Sequence, residues 1–170
     1  MPTFTETRND KKISAVDTRG ELIIMWKMTD FMISTDRSLL DFNVIHKFIS
    51  TESYWGVGRS REFMEKAMDN SAYCFGVYQE SNGTRKQIGF ARVVSDITTF
   101  GYIADVFVLG DYRGKGIGKW LIQTIVNHPD LKTLKRLTLF TETPDFYGDS
   151  MFRVFDQNSQ LKFMERNIAN

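Results

Sequence analysis

The stretch from Tyr102 to Asn127, YIADVFVLGDYRGKGIGKWLIQTIVN, constrains this chain more than any other. It opens as an apolar run rich in β-branched and aromatic residues, the composition of a strand. The run breaks at Gly110-Asp111-Tyr112. Arg113-Gly114-Lys115-Gly116-Ile117-Gly118 follows, and Ile117, Leu121 and Ile125 then recur at helical spacing. The pattern predicts a strand, a basic glycine loop and a helix. Such a unit suits an anion. Glycines let the backbone come close to a ligand, and the first N–H groups of a helix have no partner inside it. Those donors, the positive end of the helix dipole and the charges of Arg113 and Lys115 fit a phosphate or pyrophosphate.

Three phosphate patterns compete for this loop. A P-loop requires Gly, four residues, then Gly-Lys-Ser/Thr, and no glycine here is followed by that arrangement. A dinucleotide fingerprint requires G-x-G-x-x-G; Gly114 and Gly116 fit, but Lys119 stands where the last glycine belongs, and the loop comes late in the chain. The third pattern, R-x-x-G-x-G, is met in full by Arg113, Gly116 and Gly118. With Asp105-Val106-Phe107-Val108 four residues upstream, the segment resembles the acetyl-CoA motif of the GNAT superfamily of acyl-CoA-dependent N-acyltransferases. A glycine-rich turn without a ligand is the alternative.

Length and composition narrow the classes. At 170 residues the chain suffices for one domain with a real core. Hydrophobic residues make up 42% and charged residues 25%, as in ordinary globular proteins, and the net charge of +1 gives no pull towards nucleic acid or anionic membranes. One cysteine, Cys74, excludes an internal disulfide and reads as a small core residue. No apolar run is long enough to span a bilayer, and MPTFTETRNDKK lacks the apolar segment of a secretory signal. A cytoplasmic location is the expectation.

Along the chain, residues 1–20 are polar and aperiodic, and are expected to form a flexible arm ahead of one domain over residues 21–170. Strands are expected at Leu22 to Met28 and Phe31 to Ser34. Asp41 and Ser60 are positioned as caps of two helices. Between those helices lies Ser50 to Ser60, with Tyr54 and Trp55 followed by Gly56 and Gly58, a linker expected to move. Ala72 to Gln79 and Gln87 to Val94 read as a hairpin closed at Asn82-Gly83. Leu134 to Phe140 reads as a strand parallel to Tyr102 to Leu109, Phe146-Tyr147 as the opening of a short helix, and Leu161 to Arg166 as a last strand. His46 reads as a packing or surface residue and His128 as part of a helix end. No repeat or second domain is visible.

The resemblance covers about residues 20 to 166. It implies an α/β fold of the α+β type: a mixed, mostly antiparallel sheet with flanking helices and one splayed parallel strand pair that admits the cofactor. It implies acetyl-CoA as co-substrate, no metal, and transfer of the acetyl group to a primary amine by direct attack on the thioester. Arg113, Gly114, Lys115, Gly116, Ile117, Gly118 and Lys119 would hold the phosphates, and the backbones of Val106, Phe107 and Val108 the pantetheine arm. An amine of pKa about 10.4 must lose a proton before attack. Asp105 is the candidate base, acting directly or through water. A structural carboxylate is the other reading, because Ala104 occupies the position where the family often carries an acid. Glu52 and Glu62 are weaker candidates. Phe146 to Phe152 aligns with the family stretch L-Y-x-x-x-G-F, which makes Tyr147 the general-acid candidate towards the leaving thiolate; Met151 replaces the usual glycine and Pro144 precedes the stretch. Tyr54 and Trp55 either line the acceptor pocket or pack beneath the loop. A non-catalytic acyl-CoA-binding module is the alternative function. The acceptor identity and the oligomeric state, a homodimer included, stay open.

Overall fold

The computed structural model describes residues 10–150, 152–155, 158 and 160–166. Seven strands form one sheet in chain order: β1 (Asp10–Val16), β2 (Leu22–Met28), β3 (Phe31–Ser34), β4 (Tyr73–Ser81), β5 (Thr84–Ser95), β6 (Phe100–Val108) and β7 (Arg136–Thr138). Every neighbouring pair is antiparallel except β6 and β7. That parallel pair needs a crossover, supplied by α3 (Ile117–Val126). The other helices are α1 (Phe42–Thr51), α2 (Arg61–Asp69) and the short α4 (Pro144–Gly148).

The local signals explain these boundaries. The Asp41 carboxylate accepts from the N–H groups of Asn43 and Val44 and starts α1. The Ser60 hydroxyl does the same for Phe63 and starts α2. Such caps each stabilise a helix by about 0.5–2 kcal/mol. Asn82 and Gly83 take φ values of 50° and 77°, closing the β4–β5 hairpin. Pro144 sits at the start of α4, where its missing N–H costs nothing, so it opens this helix.

Helices cover both sheet faces. α3 lays Ile117, Leu121 and Ile125 against Ile24, Phe75, Val77 and Ile103. On the other face Ile45, Phe48 and Ile49 of α1 and Met64 and Met68 of α2 meet Cys74, Phe90 and Phe107. Full burial of each such side chain contributes about 1.5–3 kcal/mol. Cys74 lies inside this second layer, and burial pushes its thiol up to about 11, which leaves it a packing residue. His128 is wholly buried against the rings of Tyr73, Phe75 and Trp26, so it belongs to the first core layer.

Three expectations change. Asp10–Val16, expected within a flexible arm, forms β1 on the edge of β2. Edge pairing uses backbone N–H and C=O groups and needs no apolar periodicity to announce it. The strand expected over Leu134 to Phe140 contracts to Arg136–Thr138, because β6 stops pairing with it beyond Tyr102↔Thr138. Leu161 to Arg166 is irregular. The Phe163 ring instead meets Phe140, which meets Tyr102, at centroid distances of 5.2 and 5.7 Å.

Candidate active site

The site is built where β6 parts from β7. The β5–β6 register slips between Phe90↔Phe107 and Arg92↔Ala104, so β6 carries one extra residue there. Asp105 lies in this bulge with φ +53°, a left-handed conformation that asparagine and aspartate tolerate better than most residues. Phe107 pairs with Phe90, and the Leu109 N–H donates to the Ile88 carbonyl at 2.8 Å. By strand alternation the polar backbone of Val108 then points away from β5, on the side where β7 has already ended. Arg113 Nε donates to the Val108 carbonyl from that side at 3.0 Å. The ladder thus keeps the Phe107 backbone inside the sheet and turns that of Val108 towards the gap.

The glycine loop closes one end of this gap. Gly110–Tyr112 make one 3-10 turn, and Gly114 and Gly116 adopt φ values of +75° and +76°. α3 begins at Ile117 with no side chain capping it. Its first ladder donor is Trp120, to the Gly116 carbonyl, so the N–H groups of Ile117, Gly118 and Lys119 have no helical acceptor. A Cβ on Gly118 would stand 2.9 Å from Phe146 Cζ, so this glycine lets α4 close over the start of α3. Lys119 pairs with Asp149 just past α4, and that hydrogen bond holds the Asp149 carboxyl below its usual range. The ammonium groups of Lys115 and Lys86 both lie over the Tyr112 ring, at 5.3 and 5.6 Å, and the Tyr112 hydroxyl donates to Gln79. Uncapped donors, two left-handed glycines and clustered cations form a cradle that fits a pyrophosphate.

Tyr147 lies on α4, half-buried, with its ring edge-on to Phe146 and Phe152. Burial, and then the neighbouring Tyr54 phenol, raise its pKa above the ordinary phenol value. The two tyrosines therefore belong to one neighbourhood. Met151 lies outside the described residues.

The linker between α1 and α2 is fastened, contrary to the expectation that its glycines let it move. Gly56 is buried, and a Cβ there would come 2.5 Å from Ile49 Cγ2. The Gly56 N–H donates to Ser53 Oγ, the Gly58 N–H to the Ser50 carbonyl, and the His46 ring nitrogen Nε2 bonds the Arg59 carbonyl at 3.0 Å. Tyr54 is 61% exposed and meets Trp55 edge-on at 5.0 Å, while Trp55 packs partly against the second core layer.

Asp105, 6% exposed, ties this linker to β6. Its Oδ1 accepts from Trp55 Nε1 at 3.1 Å and Arg59 Nη1 at 3.0 Å, and its Oδ2 from Arg92 Nε at 2.5 Å. The carboxylate is therefore held by side-chain donors. Glu52 and Glu62 are exposed. The sequence reading missed Arg59, Arg92, Lys86 and Tyr112. One signal was present for Arg92: like Asp105, it is a lone charge inside an apolar strand, and two such charges on neighbouring strands call for each other. Among the described residues no group of three or more His, Cys, Asp or Glu side chains converges on a metal position, and no helix is long and apolar enough to cross a membrane.

Comparison with known proteins points the same way. The family model described as acetyltransferase (GNAT) family matches residues 42–155. A protein of Gibberella zeae named as an acetyltransferase is 31% identical over 155 residues, covering 77% of this chain and 85% of its own length. The ycf52 protein of Pyropia yezoensis, named as an N-acetyltransferase, is 27% identical over 138 residues, covering 81% of this chain and 75% of its own. A crystal structure from Xanthomonas campestris, titled as an acetyltransferase of the GNAT family, superposes with a TM-score of 0.72 at 37% identity, over 81% of this chain and 93% of that one. The Rv2747 structure from Mycobacterium tuberculosis, solved with CoA, shares the fold at a TM-score of 0.57 and 17% identity, over 73% of this chain and 72% of that one. With the family model spanning most of the fold and a splayed β6–β7 pair opening beside a glycine cradle, this chain belongs to the GNAT family of acetyltransferases.

Proposed function

We propose that this protein moves the acetyl group of acetyl-CoA to a primary amine of a small molecule or an exposed amino group. The observation that carries the reading is the gap where β6 outlasts β7, bordered by the Val108 backbone and the uncapped start of α3. The residues present fit coenzyme A. Arg113, Lys115 and the N–H groups of residues 117–119 receive the pyrophosphate. The backbones of Val106 and Val108 offer strand-like pairing to the amide-bearing arm. Acetyl-CoA supplies an activated acyl group: the amine nitrogen bonds to the thioester carbon, the C–S bond breaks, the amine loses a proton and the thiolate gains one. Tyr147 is the donor proposed for that thiolate. Its raised pKa keeps it protonated through the neutral range, as a donor requires. Tyr54 and Trp55 are proposed to line the acceptor side, where aromatic faces attract an amine that arrives as a cation.

Thiol release from acetyl-CoA, followed with and without a panel of primary amines, tests this reading. Amine-dependent release supports it. Tight coenzyme A binding with no release towards any amine would favour the acyl-CoA-binding module instead. The occupied carboxylate of Asp105 is the observation on that side, since its oxygens already accept from Trp55, Arg59 and Arg92.

The same proposal includes a cytoplasmic location, where acyl-CoA thioesters are made, and no nucleic-acid or membrane partner, because the net charge is +1. A homodimer is part of it as well. Phe140 and Phe163 meet edge-on at 5.2 Å while 62% and 59% exposed, apolar surface that a second copy would cover. Sedimentation at equilibrium reads that state directly.

A further inference from the structure

The geometry points to Asp105 as a positioning residue rather than a proton acceptor: through Arg59, Arg92 and Trp55 it fixes the acceptor-side linker to the strand that faces the cofactor. This rests on the proposed reading of the cleft.

The contacts converge from three elements. Trp55 and Arg59 come from the linker, Arg92 from β5 and Asp105 from the bulge of β6. Arg92 Nη1 also reaches Ser71 Oγ at 3.4 Å, which brings in the chain just after α2. The Asp105 side chain is 2% exposed, and those of Arg92 and Arg59 are 13% and 28% exposed. Tyr102 also faces the cluster; burial first, and the Asp105 charge second, raise its pKa. A base must have a lone pair open to the acceptor. Here three donors take three of the carboxylate's roughly four lone-pair sites, its side chain is 2% exposed, and two guanidinium groups outweigh its single negative charge. The bulge then has a clear purpose. It turns a side chain of β6 towards the linker without breaking the pairing at Phe107 that carries Val108 to the gap. One carboxylate thus sets the distance between the residues that would meet the amine and those that would hold the thioester, so its loss is read first in the hold on the amine.

Asp105→Asn tests this, because asparagine also accepts the left-handed conformation and keeps one acceptor oxygen. Amide hydrogen exchange over residues 53–59 should quicken at least about tenfold. With benzylamine and acetyl-CoA as the probes, the amine KM should rise about tenfold or more. The kcat should stay within about threefold, and the acid limb of kcat/KM, set by the amine itself, should persist. A fall in kcat beyond about 100-fold with the amine KM unchanged would identify a base and overturn the proposal. Unchanged exchange over residues 53–59 would overturn it too. Arg59→Met removes one donor and keeps the Arg92 pair, so it provides a milder variant in which the same exchange and KM changes should appear in smaller measure. Exchange is read without turnover: a linker that loosens in a chain that acetylates no amine counts against the acetyl-transfer reading and leaves the anchor standing.

Discussion

Tyr147 combines a half-buried phenol packed against Phe146 and Phe152 with a pKa raised by burial and by the Tyr54 phenol. Tyr147→Phe should lower kcat on the order of 10–1,000-fold while calorimetry shows nearly unchanged coenzyme A affinity. The sign of the pH dependence follows from the shift. The form proposed as donor is the protonated one, and its pKa is raised above the ordinary phenol value, so a loss of kcat caused by this group falls on the alkaline side, at higher pH than for a free phenol. Full turnover in the phenylalanine variant would leave Tyr147 a packing residue. At this scale the sequence was legible where a residue type carries its own chemistry. Asp105 stood out as an acid in an apolar strand, and Tyr147 as a phenol in a short helix. Their partners were not legible, because Arg59 is 46 residues from Asp105 and meets it only through the bulge.

At the scale of elements, the glycine cradle and the α1–α2 linker make separate predictions. Gly116→Glu should abolish coenzyme A binding. It puts a side chain at φ +76° and an anion where the phosphates would lie. Arg113→Ala should weaken binding less, by about 1–3 kcal/mol, and unchanged affinity in calorimetry for both variants would remove the cradle from the cofactor site. Trp55→Ala should raise the amine KM and leave that of acetyl-CoA almost unchanged, with a thermal melt separating this from loosening of the linker. Equal damage to both constants would show that Trp55 only packs. Capping residues and periodic apolar positions made α1, α2 and α3 readable, since these signals act within one turn. β1 and the shortness of β7 were not readable. Both depend on which backbone edge is left open by strands far away in sequence.

At the scale of the whole molecule, strand order among the described residues follows chain order from β1 to β7, and the parallel crossover lies at the glycine loop. The β1–β2, β2–β3, β4–β5 and β5–β6 pairings join strands close in sequence, whereas β3–β4 must close over α1 and α2 and β6–β7 over α3. The cradle, which needs the β6–β7 crossover in place, is expected among the later parts to form. Coenzyme A, on the proposed reading that it binds the closed cradle, should act on departure from the native state and leave the approach to it alone. At a concentration of 100 times its Kd it adds about 2.7 kcal/mol. In stopped-flow denaturant experiments nearly all of that should appear as an unfolding rate about 100-fold slower, with the refolding rate scarcely changed. Equal shifts in both limbs would mean that the cradle is already built in the folding transition state. The cofactor would in that case guide the chain to its fold, where the strand order predicts that it only locks a fold already made.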